Sequence, residues 1–124
     1  MQVTEIAFSV YPVTDVKRAR AFYEGTLGLK PGMVFEGEGI GWIEYEIGPG
    51  VVAIGAGSEH FKPSSNGGSV ALEVDDFDQA IQELKEARAK FVVEPLDFPG
   101  CRMAAVQDPD GNTITIHRRK TASA

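Results

Sequence analysis

The sequence predicts an α+β fold made of two tandem βαβββ units, and three observations predict it. Strand-like alternation and helix-like periodicity follow one another as strand, helix, strand, strand, strand, twice over. An aspartate stands at the head of each helical stretch, Asp15 in one half and Asp76 in the other. There a short side-chain acceptor satisfies free backbone N–H groups. Finally, the halves slide onto one another at a constant step of 61 residues: Val13 on Val74, Asp15 on Asp76, Ala19 on Ala80, Gly39 on Gly100 and Gly50 on Gly111. A period of that length marks a structural unit used twice.

In the first half, EIAFSVYPVTD reads as a strand over 4–13. Val16, Ala19 and Tyr23 share one face of the helix that follows, and Gly28 is placed to end it. Three strands come next, near 33–37, 41–47 and 51–56. The polar, Ser- and Gly-rich stretch SEHFKPSSNGG is a linker. In the second half, strands near 69–75, 91–95, 102–107 and 112–118 surround a helix whose stripe is Phe77, Ala80, Ile81 and Leu84. Asp76 with Gln79 three residues on is close to a capping box. Before the last strand, Asp-Pro-Asp-Gly-Asn is a turn by composition. The expectation is one domain of two repeats, about 4–57 and 67–120.

Composition narrows the function. The net charge is −6 and the only basic cluster is Arg118-Arg119-Lys120, so a nucleic-acid partner is not expected. No apolar run is long enough to span a bilayer, so no membrane partner is expected either. The single cysteine, Cys101, excludes an internal disulfide and fits a reducing cytoplasm.

The paired unit, with AFYEGTLGL in the first half and QDPDGNTITI in the second, resembles the vicinal-oxygen-chelate superfamily: glyoxalase I, bleomycin resistance proteins and extradiol dioxygenases. The resemblance spans essentially the whole chain. It implies a curved sheet from each unit, helices outside and a cleft formed by the two, on a scaffold that hosts several chemistries. It also implies metal ligands in the first and last strands of each unit. Counted from the caps and the turn glycine, those positions here are Phe8, Ser69 and Thr115, and the repeat step maps Thr115 onto Ile54. Phenyl and sec-butyl groups have no donor, and neutral hydroxyls bind divalent ions weakly without carboxylate or imidazole help. No metal and no cofactor are therefore expected.

What remains is a wall of candidate ligand-binding residues. Phe8, Val10 and Met103 are apolar members, Ile54, Ser69 and Thr115 hold the former ligand positions, and Glu73 and His117 are polar. In GWIEYEIG, Trp42, Glu44 and Glu46 alternate with Ile43, Tyr45 and Ile47, so an indole and two carboxylates share a face. Such a face suits a flat cationic ligand, and equally an ordinary solvated strand. Phe35, Phe61 and Phe98 are expected in or near loops. His60 reads as a loop residue, and Cys101 as a small buried side chain.

Two readings of function stand open. One is a binding protein that sequesters a small, aromatic, cationic molecule in a metal-free cleft. The other is a glyoxalase-like lyase or isomerase, or a dioxygenase-related enzyme, with a displaced metal or with Glu73 or His117 as a metal-free general base. Sheets with open edges call for a partner, and family members are often dimers, so a homodimer is expected.

Overall fold

The computed structural model describes residues 2, 4–59 and 62–120. His60 and Phe61 lie outside the described residues. The chain divides into unit 1, Met1–Pro63, and unit 2, Ser64–Ala124. Unit 1 contains β1 (Ser9–Pro12), α1 (Val16–Arg20, continued by a π turn over Ala21–Thr26), β2 (Pro31–Gly37), β3 (Ile40–Ile47) and β4 (Gly50–Ala56). Unit 2 contains β5 (Val70–Glu73), α2 (Phe77–Glu86), β6 (Lys90–Asp97), β7 (Cys101–Gln107) and β8 (Thr113–Arg119). Each unit is one four-stranded mixed sheet with a helix, in the same strand order: β1-β4-β3-β2 and β5-β8-β7-β6. The first and last strands of each unit pair in parallel and the remaining pairs are antiparallel.

Both helices start as their sequences dictate. The Asp15 side chain accepts from the Arg18 N–H and the Asp76 side chain from the Gln79 N–H, each at 3.0 Å. On α2, Phe77 and Leu84 are buried while Ala80 and Ile81 are half-buried. The first strand is shorter than the pattern suggests. Residues 4–8 form no strand; with Ser9 paired to Val52 and β4 beginning at Gly50, residues before Ala7 have no partner strand beside them. β5 likewise covers only Val70–Glu73.

Each sheet buries the face under its helix. In unit 1, Tyr11, Ile43, Tyr45, Val52 and Ile54 line that face, and Tyr23 of the π turn stacks on Tyr45 with ring centroids 5.9 Å apart. A polar chain runs through this core. Arg20 Nε donates to Glu24 Oε2 at 2.6 Å and the Tyr45 hydroxyl donates to the same oxygen at 2.9 Å. The Arg20 bond holds the Glu24 carboxyl below the usual carboxylate range, while burial, then the carboxylate, push the Tyr45 phenol up. In unit 2, Ala104, Val106, Ile114 and Ile116 lie under α2, and the Arg102 guanidinium sits 4.5 Å over the Phe77 ring.

The repeat is real, but its step is not constant. Ile43 pairs with Ile54, and Ala104, one step of 61 further on, pairs with Ile116. The last strand of unit 2 is thus displaced by one extra residue. The extra residue lies in the β7–β8 connection, where Asp108 and Asn112 are buried. Asp108 Oδ1 accepts from the N–H groups of Asp110 and Asn112, each at 2.9 Å, and Gly111 supplies φ +88°. Gly111 therefore does not lie over Gly50, and Thr115 lies over Ala53 rather than over Ile54.

Candidate functional site

The face of each sheet away from its helix, the open face, carries the side chains that sequence reading singled out, with one exception. Ile54 is fully buried and lies on the helix side with Ile43 and Tyr11. A one-residue slip exchanges the faces of a strand, so the position it was assigned belongs to Ala53, which is also fully buried.

On the open face of unit 1, alternation along β3 places Trp42, Glu44 and Glu46 together, opposite to Tyr45 on the helix side. The indole N–H donates to Glu44 Oε2 at 2.8 Å. Phe8 meets the indole edge-on, with centroids 5.1 Å apart. Beneath the indole is Gly55, paired with Trp42 across the sheet. A Cβ built at Gly55 would stand 3.1 Å from the indole and 3.8 Å from Val10 Cγ2. Only glycine lets the ring settle this closely against the strand. Phe35 is not in a loop: it pairs directly with Trp42 from β2 and is 55% exposed. Three aromatic rings therefore share this face, with two carboxylates at its end. Sequence reading missed the parts played by Gly55 and Phe35; strand pairing, which reveals them, is not visible in local pattern.

The open face of unit 2 is polar. Thr113, Thr115 and His117 follow one another at every second position of β8, as the alternation requires. The Ser69 and Thr115 hydroxyls lie 2.8 Å apart. Glu73 pairs with His117 across the parallel ladder, and Nδ1 of the imidazole lies 2.6 Å from Glu73 Oε1. Glu73 Oε2 accepts from the backbone N–H of Arg119 at 2.6 Å, with the Arg118 guanidinium 3.8 Å away. The Arg119 N–H first, and then the imidazole, hold the Glu73 carboxyl below the usual range. Met103 stands beside His117 in register from β7. Phe98 follows β6 and is 47% exposed, and Cys101 is half-buried at the start of β7.

These side chains do not fit a divalent metal. The positions that the resemblance implies for ligands hold Phe8, Ala53, Ser69 and Thr115: a phenyl group, a methyl group and two hydroxyls hydrogen-bonded to each other. Among the described residues no group of three or more His, Cys, Asp or Glu side chains is gathered to hold an ion. No helix among the described residues is long and apolar enough to cross a membrane.

Paired βαβββ units of this topology define a class, and the family follows. The chain matches the Glyoxalase/Bleomycin resistance protein/Dioxygenase superfamily over residues 5–116 and belongs to it. Solved structures of similar fold include TnmS3, an antibiotic binding protein from Streptomyces sp. CB03234. The identity is 24% and the TM-score 0.81, with 97% of this chain and 99% of that one covered. A glyoxalase/bleomycin resistance protein from the same Streptomyces strain is 26% identical, with TM-score 0.75 and 90% and 98% covered. A glyoxylase/bleomycin resistance protein/dioxygenase domain from Frankia sp. EAN1pec is 15% identical, with TM-score 0.75 and 96% and 100% covered. No curated protein matches the sequence.

Proposed function

We propose that this chain is a binding protein of the glyoxalase/bleomycin-resistance type that holds a small, flat, positively charged aromatic molecule without a metal. In this reading it works in the cytoplasm as a homodimer, its two repeats making one domain. The observation that carries the reading is the Trp42 indole, seated on Gly55, touched edge-on by Phe8 and tied to Glu44. A large ring on an accessible face, beside fixed negative charge, offers stacking and cation attraction together. The absence of side-chain donors suited to a metal at the four family positions leaves these contacts to supply affinity. The likeness in fold to an antibiotic binding protein supports the same direction.

Trp42 is the sole tryptophan, so its fluorescence reports on this wall alone. N-Methylquinolinium and quinoline share a shape and differ in charge. The cation is expected to quench Trp42 saturably and to bind several-fold more tightly than the neutral base. Glu44→Gln combined with Glu46→Gln is expected to remove most of that preference and most of its salt dependence. A cation that binds the double variant as tightly as the parent overturns the reading.

A further inference from the structure

The Glu73–His117 pair plays no part in the wall of unit 1, and its geometry has a chemical consequence. A carboxylate oxygen only accepts hydrogen bonds. Nδ1 of His117, 2.6 Å from Glu73 Oε1, therefore carries a proton. In the neutral ring the other nitrogen, Nε2, is then a lone-pair acceptor. It lies on the far side of the ring from Glu73 and has no hydrogen-bond partner among the described residues. The imidazole is 26% exposed, so it is reachable from the open face without being free in solvent.

Glu73 cannot turn away, because its second oxygen is held by the Arg119 backbone N–H. It stays ionised at neutral pH, its carboxyl held down by that N–H and by the imidazole. One strand repeat back along β8, roughly 7 Å at the usual rise, stands the Thr115 hydroxyl with its Ser69 partner. Across β7 the neighbours on this face are Met103 and Ala105, while Arg119 takes the next open-face position of β8 and its charge acts on the Glu73 carboxylate. The acceptor nitrogen is thus fixed in direction, with Met103 and Ala105 across the ladder and the basic side chains beside it drawn to Glu73.

We propose that the open face of unit 2 is a hydroxyl-recognition subsite, in which Nε2 of His117, its tautomer set by Glu73, accepts a hydrogen bond from a ring hydroxyl of an aromatic ligand. The proposal rests on the reading of this chain as a small-molecule binding protein, and concerns the open face of unit 2 by itself. Glu73 acts as a positioning residue and His117 makes the contact.

Glu73→Gln is the decisive variant. A glutamine has one oxygen, and the Arg119 N–H requires it. The amide NH₂ then faces Nδ1, which must become the acceptor, and the proton moves to Nε2. The probes are p-cresol and 4-methylanisole, at about pH 8, above the ordinary imidazole range and below that of the phenol. The readout is imidazole ¹⁵N NMR, with the second histidine, His60, assigned by His60→Gln.

The expected result is a Nδ1–H tautomer in the parent and a saturable Nε2 shift with p-cresol but not with 4-methylanisole. In Glu73→Gln the expected tautomer is Nε2–H, with p-cresol affinity lower by about threefold to tenfold, the worth of one hydrogen bond. His117→Phe, which retains a ring but no imidazole signal and is therefore followed by line broadening of the probes' own NMR signals, should abolish the preference for the hydroxyl. An Nε2–H tautomer in the parent, unchanged p-cresol affinity in Glu73→Gln, or no p-cresol shift in the folded parent overturns the proposal. A lost Trp42 response with the His117 shift retained breaks the reading of unit 1 and leaves this one standing.

Discussion

Unit 1 and unit 2 share a strand order, a helix position and a capping aspartate, yet their open faces are chemical opposites. One presents Phe8, Phe35 and Trp42 with carboxylates at the end. The other presents a row of hydroxyls closing on a histidine held by a glutamate. The comparison teaches that the backbone devices of this fold and the chemistry of its faces are separable. Caps, strand pairing and the buried face under the helix are retained in both halves, because each half must bury its own core. The open face bears no such burden and is free to differ.

The strongest way to break the comparison is to attack the two cores. Tyr23 is 1% exposed and stacks on Tyr45, and Leu84 is 3% exposed on the buried face of α2. Tyr23→Ala is expected to cost about 3–5 kcal/mol and Leu84→Ala about 2–5 kcal/mol in urea unfolding. A loss below about 1 kcal/mol at either site would mean that its unit does not depend on the core described. The caps offer a finer comparison. Asp15→Ala and Asp76→Ala make the same change at equivalent positions, and each is expected to cost about 1 kcal/mol. Clearly unequal costs in thermal melts would show that the two helix starts are equivalent in geometry only.

The smallest expected effect concerns the helix ends. In unit 1 the left-handed residue after the helix is Gly28, φ +73°; in unit 2 it is Arg88, φ +60°. A side chain in that region costs about 1 kcal/mol or more, so Arg88→Gly is expected to stabilise by a few tenths to about 1 kcal/mol. The gain falls short of the full strain because glycine also gains freedom in the unfolded chain. Gly28→Arg is expected to do the reverse. A destabilised Arg88→Gly would mean that the arginine side chain contributes more than its backbone costs.

Much of this was legible in the sequence. Eight strands, two helices, both caps and the five-residue turn were marked by alternation, by Asp15 and Asp76, and by Asp-Pro-Asp-Gly-Asn. The sharing of one face by Trp42 and Glu44 followed from strict alternation in β3. Ile54 was misplaced because counting along the chain cannot detect one extra residue in a hairpin, whereas pairing sets the face. Phe35 against Trp42 and Glu73 against His117 are facts of register between strands, and register is not written locally. The π turn carries no composition signal at all. AFYEGT is ordinary helix-forming sequence apart from its glycine.

That π turn shows where this fold can absorb length. In α2 the closing bond runs from the Ala89 N–H to the Leu84 carbonyl; in α1 it runs from the Leu29 N–H to the Tyr23 carbonyl, spanning one residue more. Unit 1 has taken its extra residue inside a helical turn, and unit 2 has taken its own inside a hairpin. In both places the backbone bonds reclose around the insertion, and neither sheet loses a pairing. Insertions and deletions made at Ala21–Thr26 or at Asp108–Asn112 should therefore be survivable in a way that the same changes within β3 or β7 are not, since a strand has no slack and passes every slip to its neighbours.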